Sequence, residues 1–189
     1  MLTIQQFDTN QLINPGLNII IEPNMRLKDN LITNIITSLG RKFDTISLIT
    51  DNIYPGKECY IVDYANEHLI RHVTQSGKAL LIYDGNDHFV RSHQFRGLIV
   101  HARHLDTTII AFGDDSNSRV FMPMLRDNAR FIMMRPMIAE NCILTLGSIF
   151  AGDDNDLVNA VSIHNNNVLL VITESKLYLL SDLLSQDLD

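Results

Sequence analysis

The chain has 189 residues, 15 basic against 22 acidic, for a net charge of −7. A composition of 46% hydrophobic and 20% charged residues excludes a disordered or fibrous chain, and every apolar run falls short of the ~18 residues a membrane span needs. The length suits one folded domain over 1–189, divided by charge into a neutral part, 1–135, and an acidic extension, 136–189. After Arg135 the only basic residue is Lys176, against Glu140, Asp153, Asp154, Asp156, Glu174, Asp182, Asp187 and Asp189. Phosphate affinity comes from Lys and Arg, so non-specific DNA binding through the extension is disfavoured.

The opening MLTIQQFDTN lacks the basic and apolar regions of a signal peptide, so none is expected. Cys59 and Cys142 are far apart, without a CxxC pair, and read as reduced thiols. Short runs rich in Ile, Leu and Val follow at Leu17–Ile21, Thr45–Thr50, Ala79–Tyr83, Thr107–Phe112 and Arg130–Met134. Such runs suit strands buried on both faces. Between them, Asp29–Leu39 carries Leu31, Ile32, Ile35, Ile36 and Leu39 on one helical stripe, with Gly40 as a stop. Ala65–Val73 and Phe89–His104 are helix-compatible. Asp153–Ile163 predicts a helix with acids in its first turn, where the dipole favours them. Val168–Ile172 and Leu177–Leu180 flank Thr173–Lys176 and predict a hairpin at the sheet edge. The expected fold is α/β, with helices on both faces of the sheet. Its mostly parallel central sheet has about five strands, with a C-terminal β-hairpin.

In such a sheet, ligands bind at the carboxyl ends of the strands. The first loop there runs from Glu22 to Asp29. A working phosphate loop reads G-x-x-x-x-G-K-[ST]. Here Lys28 is in place, but Glu22 and Leu27 stand at the glycine positions and Asp29 at the hydroxyl position. Glycines matter because the loop backbone must approach phosphate closely. If Lys28 no longer holds phosphate, the nearest acids in sequence, Glu22 or Asp29, are its expected partners in an exposed pair. Ala79–Asp84 is an apolar run ending in an acid, the shape of a strand whose Asp orients magnesium. Gly85 follows where a second acid would activate water, and Asp87 lies two residues beyond it.

In order and spacing, Gln6–Met134 resembles the poxvirus-type genome-packaging ATPases of the FtsK/HerA superfamily. The segments that carry the resemblance are QFDTNQLI, EPNMRLKD, LGRKFDTISLIT, ALLIYD, ARHLDTTIIAF and MLRDNARFIMM, with VLLVITESKLYLL similar to the closing strands. The resemblance implies a P-loop-NTPase-like three-layer sandwich with a nucleotide site at Asn24, Lys28, Asp29 and Asp84, and with Asp114 where a polar sensor, Gln or Asn, usually stands. It also places Arg103 and His104 at a helix end facing the nucleotide side or a neighbour. Most of the implied catalytic positions are altered, while the apolar scaffold is kept.

The expected function is therefore a packaging-ATPase homologue with a degraded ATP site, a pseudo-ATPase with a structural or regulatory role in virion assembly. No catalytic residue and no metal ligand are expected, and no cofactor, ATP and Mg entering only if the site is active. The resemblance implies a homo-oligomer or an active homologue as partner, possible DNA, no membrane, and a place in the host cytoplasm or virion. Two alternatives stay open. One is an active atypical hydrolase using Lys28, Asp84 and Asp87. The other is a nucleic-acid or protein-binding module, which a continuous basic surface of Arg26, Arg41, Lys42, Arg71 and Arg96 would favour. His68 with His72, and His101 with His104, have metal-like spacing but no nearby Cys or paired acid, and read as structural or surface groups. Met133, Met134 and Met137 read as packing residues.

Overall fold

The computed structural model describes residues 4–50, 60–61, 77–85, 90–115, 117–162 and 168–181. The strands are β1 (Gln5–Gln6), β2 (Gly16–Ile21), β3 (Thr45–Thr50), β4 (Tyr60–Ile61), β5 (Ala79–Asp84), β6 (Thr107–Gly113), β7 (Ala129–Met134), β8 (Leu169–Ile172) and β9 (Leu177–Leu180). The helices are α1 (Met25–Leu39), α2 (His93–His101), α3 (Pro123–Arg126), α4 (Pro136–Asn141), α5 (Ile143–Gly147) and α6 (Asp154–Val161).

Among the described residues one mixed sheet joins nine strands in the order β1-β9-β8-β7-β2-β6-β5-β3-β4. From β7 to β4 every pairing is parallel. The β8–β9 hairpin then joins β7 antiparallel. All five strands expected from the apolar runs are present, and so is the hairpin. Its turn closes when Thr173 N–H donates to Lys176 O at 3.0 Å and Lys176 N–H to Thr173 Oγ1 at 2.9 Å.

Two short strands exceed the expected count. β4 is a two-residue edge beside β3. β1 pairs in parallel with β9, so a segment near the start of the chain closes the edge built by the C-terminal hairpin. Two polar glutamines carry no alternation, which is why β1 was not legible. Phe7 anchors it, fully buried, with its ring 4.9 Å from Phe131 and 5.8 Å from Tyr178, both edge-on.

Successive strand residues face opposite ways, and the core divides accordingly. Ile20, Leu80, Ile82, Ile110, Phe112 and Met133 face α1, which supplies Leu31, Ile32, Ile35 and Leu39. Ile19, Ile21, Leu81, Tyr83, Ile109 and Met134 face the other layer, where α2 gives Phe95, Leu98 and Ile99, and α4–α6 give Ala139, Leu146, Leu157 and Ala160. This is the three-layer sandwich the sequence predicts. Met133 and Met134 are fully buried as expected, whereas Met137 is 63% exposed on α4 and does not pack in the core.

Helix limits follow their caps rather than the apolar stripe alone. Ser92 accepts the Phe95 N–H and starts α2 there, so the helix is shorter than Phe89–His104. Asp153 caps α6, accepting the Asn155 N–H at 2.8 Å. The Ala65–Val73 stretch, with His68, Arg71 and His72, lies outside the described residues, as do Cys59 and Asp87.

Gly16 opens β2 with φ +134°, and a Cβ there would stand 2.6 Å from Arg130 Cδ. The Arg130 side chain crosses that spot to donate to Asn14 O at 2.8 Å. Gly16→Ala is therefore expected to lower stability by about 1–3 kcal/mol through backbone strain, read as a shifted denaturant midpoint. Arg130→Ala in the same chain relieves the side-chain clash but not the backbone cost, so the double variant should stay less stable than Arg130→Ala alone.

Candidate functional site

The order β7-β2-β6-β5 sets the carboxyl ends of four neighbouring parallel strands along one edge of the sheet. Matched registers keep those ends level, with Ile21 opposite both Gly113 and Met134. The residues at or just past them are, in spatial order, Arg135, Glu22, Asp114 and Asp84. None of these chain segments is adjacent in sequence.

The loop after β2 is shorter than the Glu22–Asp29 span of the sequence reading. Asn24 caps α1, and the helix already begins at Met25. Leu27 N–H donates to Asn24 Oδ1 at 3.2 Å and Lys28 N–H to Asn24 O at 2.9 Å. Asn24 N–H donates to Glu22 Oε1 at 3.0 Å, and Glu22 N–H to Gly113 O at 2.9 Å. Pro23 has no N–H to offer. A phosphate cradle is built from backbone N–H groups aimed at the ligand. Here those of Asn24, Leu27 and Lys28 already donate within the chain.

Glu22 is 1% exposed. Its second oxygen, Oε2, lies 2.8 Å from Arg135 Nε. The carboxylate thus takes both a loop amide and a guanidinium, as a bound phosphoryl oxygen would.

Lys28 lies in the first turns of α1, 3% exposed. Its ammonium is 2.8 Å from Asp84 Oδ1 and 2.7 Å from Asp114 Oδ1. Asp84 is 5% exposed at the end of β5, whereas the Asp114 side chain is 72% exposed. Burial by itself lowers the pKa of the ammonium, but hydrogen bonds to Asp114 and Asp84 and their charges outweigh it, and the net shift is upward.

This corrects one expectation. The partners of Lys28 are neither Glu22 nor Asp29, because the helix turn carries the lysine away from Glu22 and towards β5 and β6. Asp29 follows it on α1, half-buried, with its carbonyl accepting from Thr33 Oγ1 at 2.7 Å. Of the four residues named from sequence, Lys28 and Asp84 are in contact, Asn24 caps the helix, and Asp29 is one residue further along it. Arg135 went unread, although it follows a buried strand at the edge where ligands bind, which was the available signal.

Arg103 and His104 lie elsewhere. With Gly16, Asp127, Asn128 and Ala129 they line a cleft of about 420 Å³ at the amino ends of β2 and β7. They do not face the Lys28 cluster of their own chain. The basic residues split as well. Arg41 and Lys42 follow α1 on one side of the sheet, and Arg96 lies on α2 on the other. Cys142 is free and buried, with its thiol pKa pushed up by burial. Among the described residues no cluster of His, Cys, Asp and Glu is arranged to hold a metal ion, and no helix is long and apolar enough to cross a membrane.

Removing one partner of a buried ion pair leaves an uncompensated charge, at about 3–5 kcal/mol. Lys28→Ala takes the ammonium away from the buried Asp84, so a loss towards that range is expected in a denaturant melt, not the near-zero cost of an exposed pair. The folded lysine pKa is raised above its ordinary 10.5. Its contribution to stability is therefore full below that value and lost as pH climbs through the higher folded one. The gap in melting temperature between the native chain and Lys28→Met should be constant near neutrality and shrink only in strongly alkaline buffer.

No protein-family model and no curated protein matches the chain. Solved structures do. The genome-packaging NTPase B204 of Sulfolobus turreted icosahedral virus 2 matches in its AMPPCP complex with TM-score 0.65 and 14% identity, over 88% of this chain and 97% of that one. Its sulfate complex matches with TM-score 0.62 and 15% identity, over 88% and 96%. The DNA-packaging ATPase B204 of Sulfolobus turreted icosahedral virus matches with TM-score 0.60 and 14% identity, over 87% and 96%. The likeness runs nearly end to end in both directions, and the chain has the fold of these viral genome-packaging NTPases.

Proposed function

We propose that this chain is a viral genome-packaging ATPase homologue whose nucleotide site is closed, a pseudo-ATPase with a structural or regulatory role in virion assembly. The fold shared with B204 supports the packaging context. The observation that carries the closed site is the occupation of its donors by the chain's own acceptors. The Asn24 and Leu27 amides serve Glu22 and Asn24, the Lys28 ammonium serves Asp84 and Asp114, and the Arg135 guanidinium serves Glu22.

These residues do not fit magnesium nucleotide. A triphosphate needs free amides and an unneutralised lysine, and magnesium needs a hydroxyl where Asp29 stands. Among the described residues of the cluster, Glu22, Asp84 and Asp114 outnumber Lys28 and Arg135, a balance that disfavours anions. A like charge at about 4 Å costs about 4 kcal/mol at an effective dielectric near 20. That equals the whole free energy of millimolar binding, about 4 kcal/mol.

One observation favours an active site instead: Lys28 and Asp84 persist side by side, as a working enzyme would keep them. On either reading the proposal includes assembly with further copies or with an active homologue, in the host cytoplasm or the virion. DNA contact stays part of the proposal.

Calorimetric titration with ATP, with and without magnesium, separates the two. The closed site predicts a dissociation constant no tighter than about 1 mM and no phosphate release above background. Micromolar binding, or hydrolysis abolished by Asp84→Ala, would establish the active reading and remove the closed one.

A further inference from the structure

The two carboxylates on Lys28 are not equivalent. Asp84 is built into the end of β5 and buried. Asp114 follows Gly113, the last residue of β6, and its side chain is 72% exposed. Gly113 itself is held tightly, since a Cβ there would meet Val120 Cγ2 at 2.5 Å and Ile21 Cδ1 at 2.9 Å. The turn beyond it is closed by Asp115, whose carboxylate accepts the Asn117 N–H at 2.8 Å and whose carbonyl accepts the Ser118 N–H at 3.1 Å. Among the described residues the Asp114 carboxylate bonds to Lys28 alone. Neither the strand end nor the turn depends on it.

We propose that Asp114 is a releasable latch on Lys28, an internal anion that competes with an incoming oxyanion for the same ammonium. The inference rests on reading the strand-end cluster as a closed nucleotide site, and it names what closes it reversibly. When Asp114 swings into solvent, Asp84 keeps the lysine in place and charged, and one face of the ammonium opens towards the loop. Glu22 is a different kind of occupant. It is buried, tied to Arg135 and to a loop amide, and has no solvent-side conformation to move into. The site therefore has one fixed internal anion and one exchangeable one, and the exchangeable one sets its affinity for phosphoryl groups.

The test compares the native chain with Asp114→Asn, Asp114→Ser and Asp84→Asn, titrated with pyrophosphate and with magnesium ATP. Because the Asp114 side chain is exposed, both Asp114 variants should melt like the native chain. Replacing a charge-assisted competitor on a buried ammonium should tighten pyrophosphate binding by about tenfold or more. Asp84→Asn leaves the latch on Lys28 and should give no gain. Acylation of Lys28 by an N-hydroxysuccinimide ester, mapped by peptide mass, reads the contact directly. It should rise in Asp114→Asn and fall again when pyrophosphate is added.

Folded Asp114 variants that bind no better than the native chain would overturn the latch and leave the closed-site reading standing. So would a gain in affinity without any change in Lys28 acylation, because the gain would not run through the lysine. Micromolar magnesium ATP binding by the native chain would overturn the closed-site reading first, and the latch with it.

Discussion

A lysine ammonium buried at the end of a parallel sheet must be matched by negative charge, and that requirement organises the site. In water the charge is solvated. At 3% exposure it needs acceptors within hydrogen-bond reach, or it loses its proton. A phosphate-binding fold meets the need with ligand oxygens. Here Asp84 and Asp114 meet it, so the site is electrostatically complete without a ligand. Arg135 and Glu22 repeat the arrangement one strand further along.

On the closed-site proposal, side chains rather than mere loss of contacts close the cradle in the loop between β2 and α1. A phosphate loop needs residues whose backbone can open outward, which is what glycine permits. Glu22 and Leu27 have no such freedom, and Asn24 is among the best helix-capping residues. The helix accordingly starts at Met25, and the Leu27 and Lys28 amides donate to Asn24. Starting the helix this early also fixes the direction in which Lys28 projects, towards β5 and β6 and away from Glu22.

Much of the scaffold was legible from the chain because its strands are buried on both faces. Ile19–Ile21, Leu80–Ile82 and Ile109–Ala111 are apolar without interruption since neither neighbour in the alternation meets solvent. Such runs stand out at any sequence distance. β1 and β4 did not, being two residues long and held by their neighbours rather than by an apolar pattern. The site was half legible. Lys28 and Asp84 follow strands in a recognisable order, so they were found. Asp114 and Glu22 were named as well, but the pairings were not legible, because Lys28–Asp114 and Glu22–Arg135 join residues 86 and 113 positions apart. Only the strand order, which no local pattern encodes, makes them neighbours. Sequence proximity suggested Glu22 and Asp29 for Lys28, and three-dimensional adjacency selected others.

The same geometry separates the residues that hold the fold from those that set the charge at the strand ends. Residues that specify the sheet lie within the strands, where a polar replacement would bury an unpaired group and cost about 1–3 kcal/mol. Residues that specify the chemistry lie one position beyond the strand ends, at Glu22, Asp114 and Arg135, or in the first turns of the following helix. A change there alters the charge at the edge without touching either layer of the core. It is tolerated only if the new charges balance, since each one near the sheet edge is partly desolvated. Glu22 where a glycine is expected requires a cation beside it, and Arg135 on the adjacent strand supplies one. Asp114 where an amide is expected requires another, and Lys28 is in reach. On the closed-site proposal the acids and bases of this edge are thus not independent in physical terms: Glu22 and Asp114 are each tolerated beside a base, Arg135 and Lys28, that lies within reach to hold them.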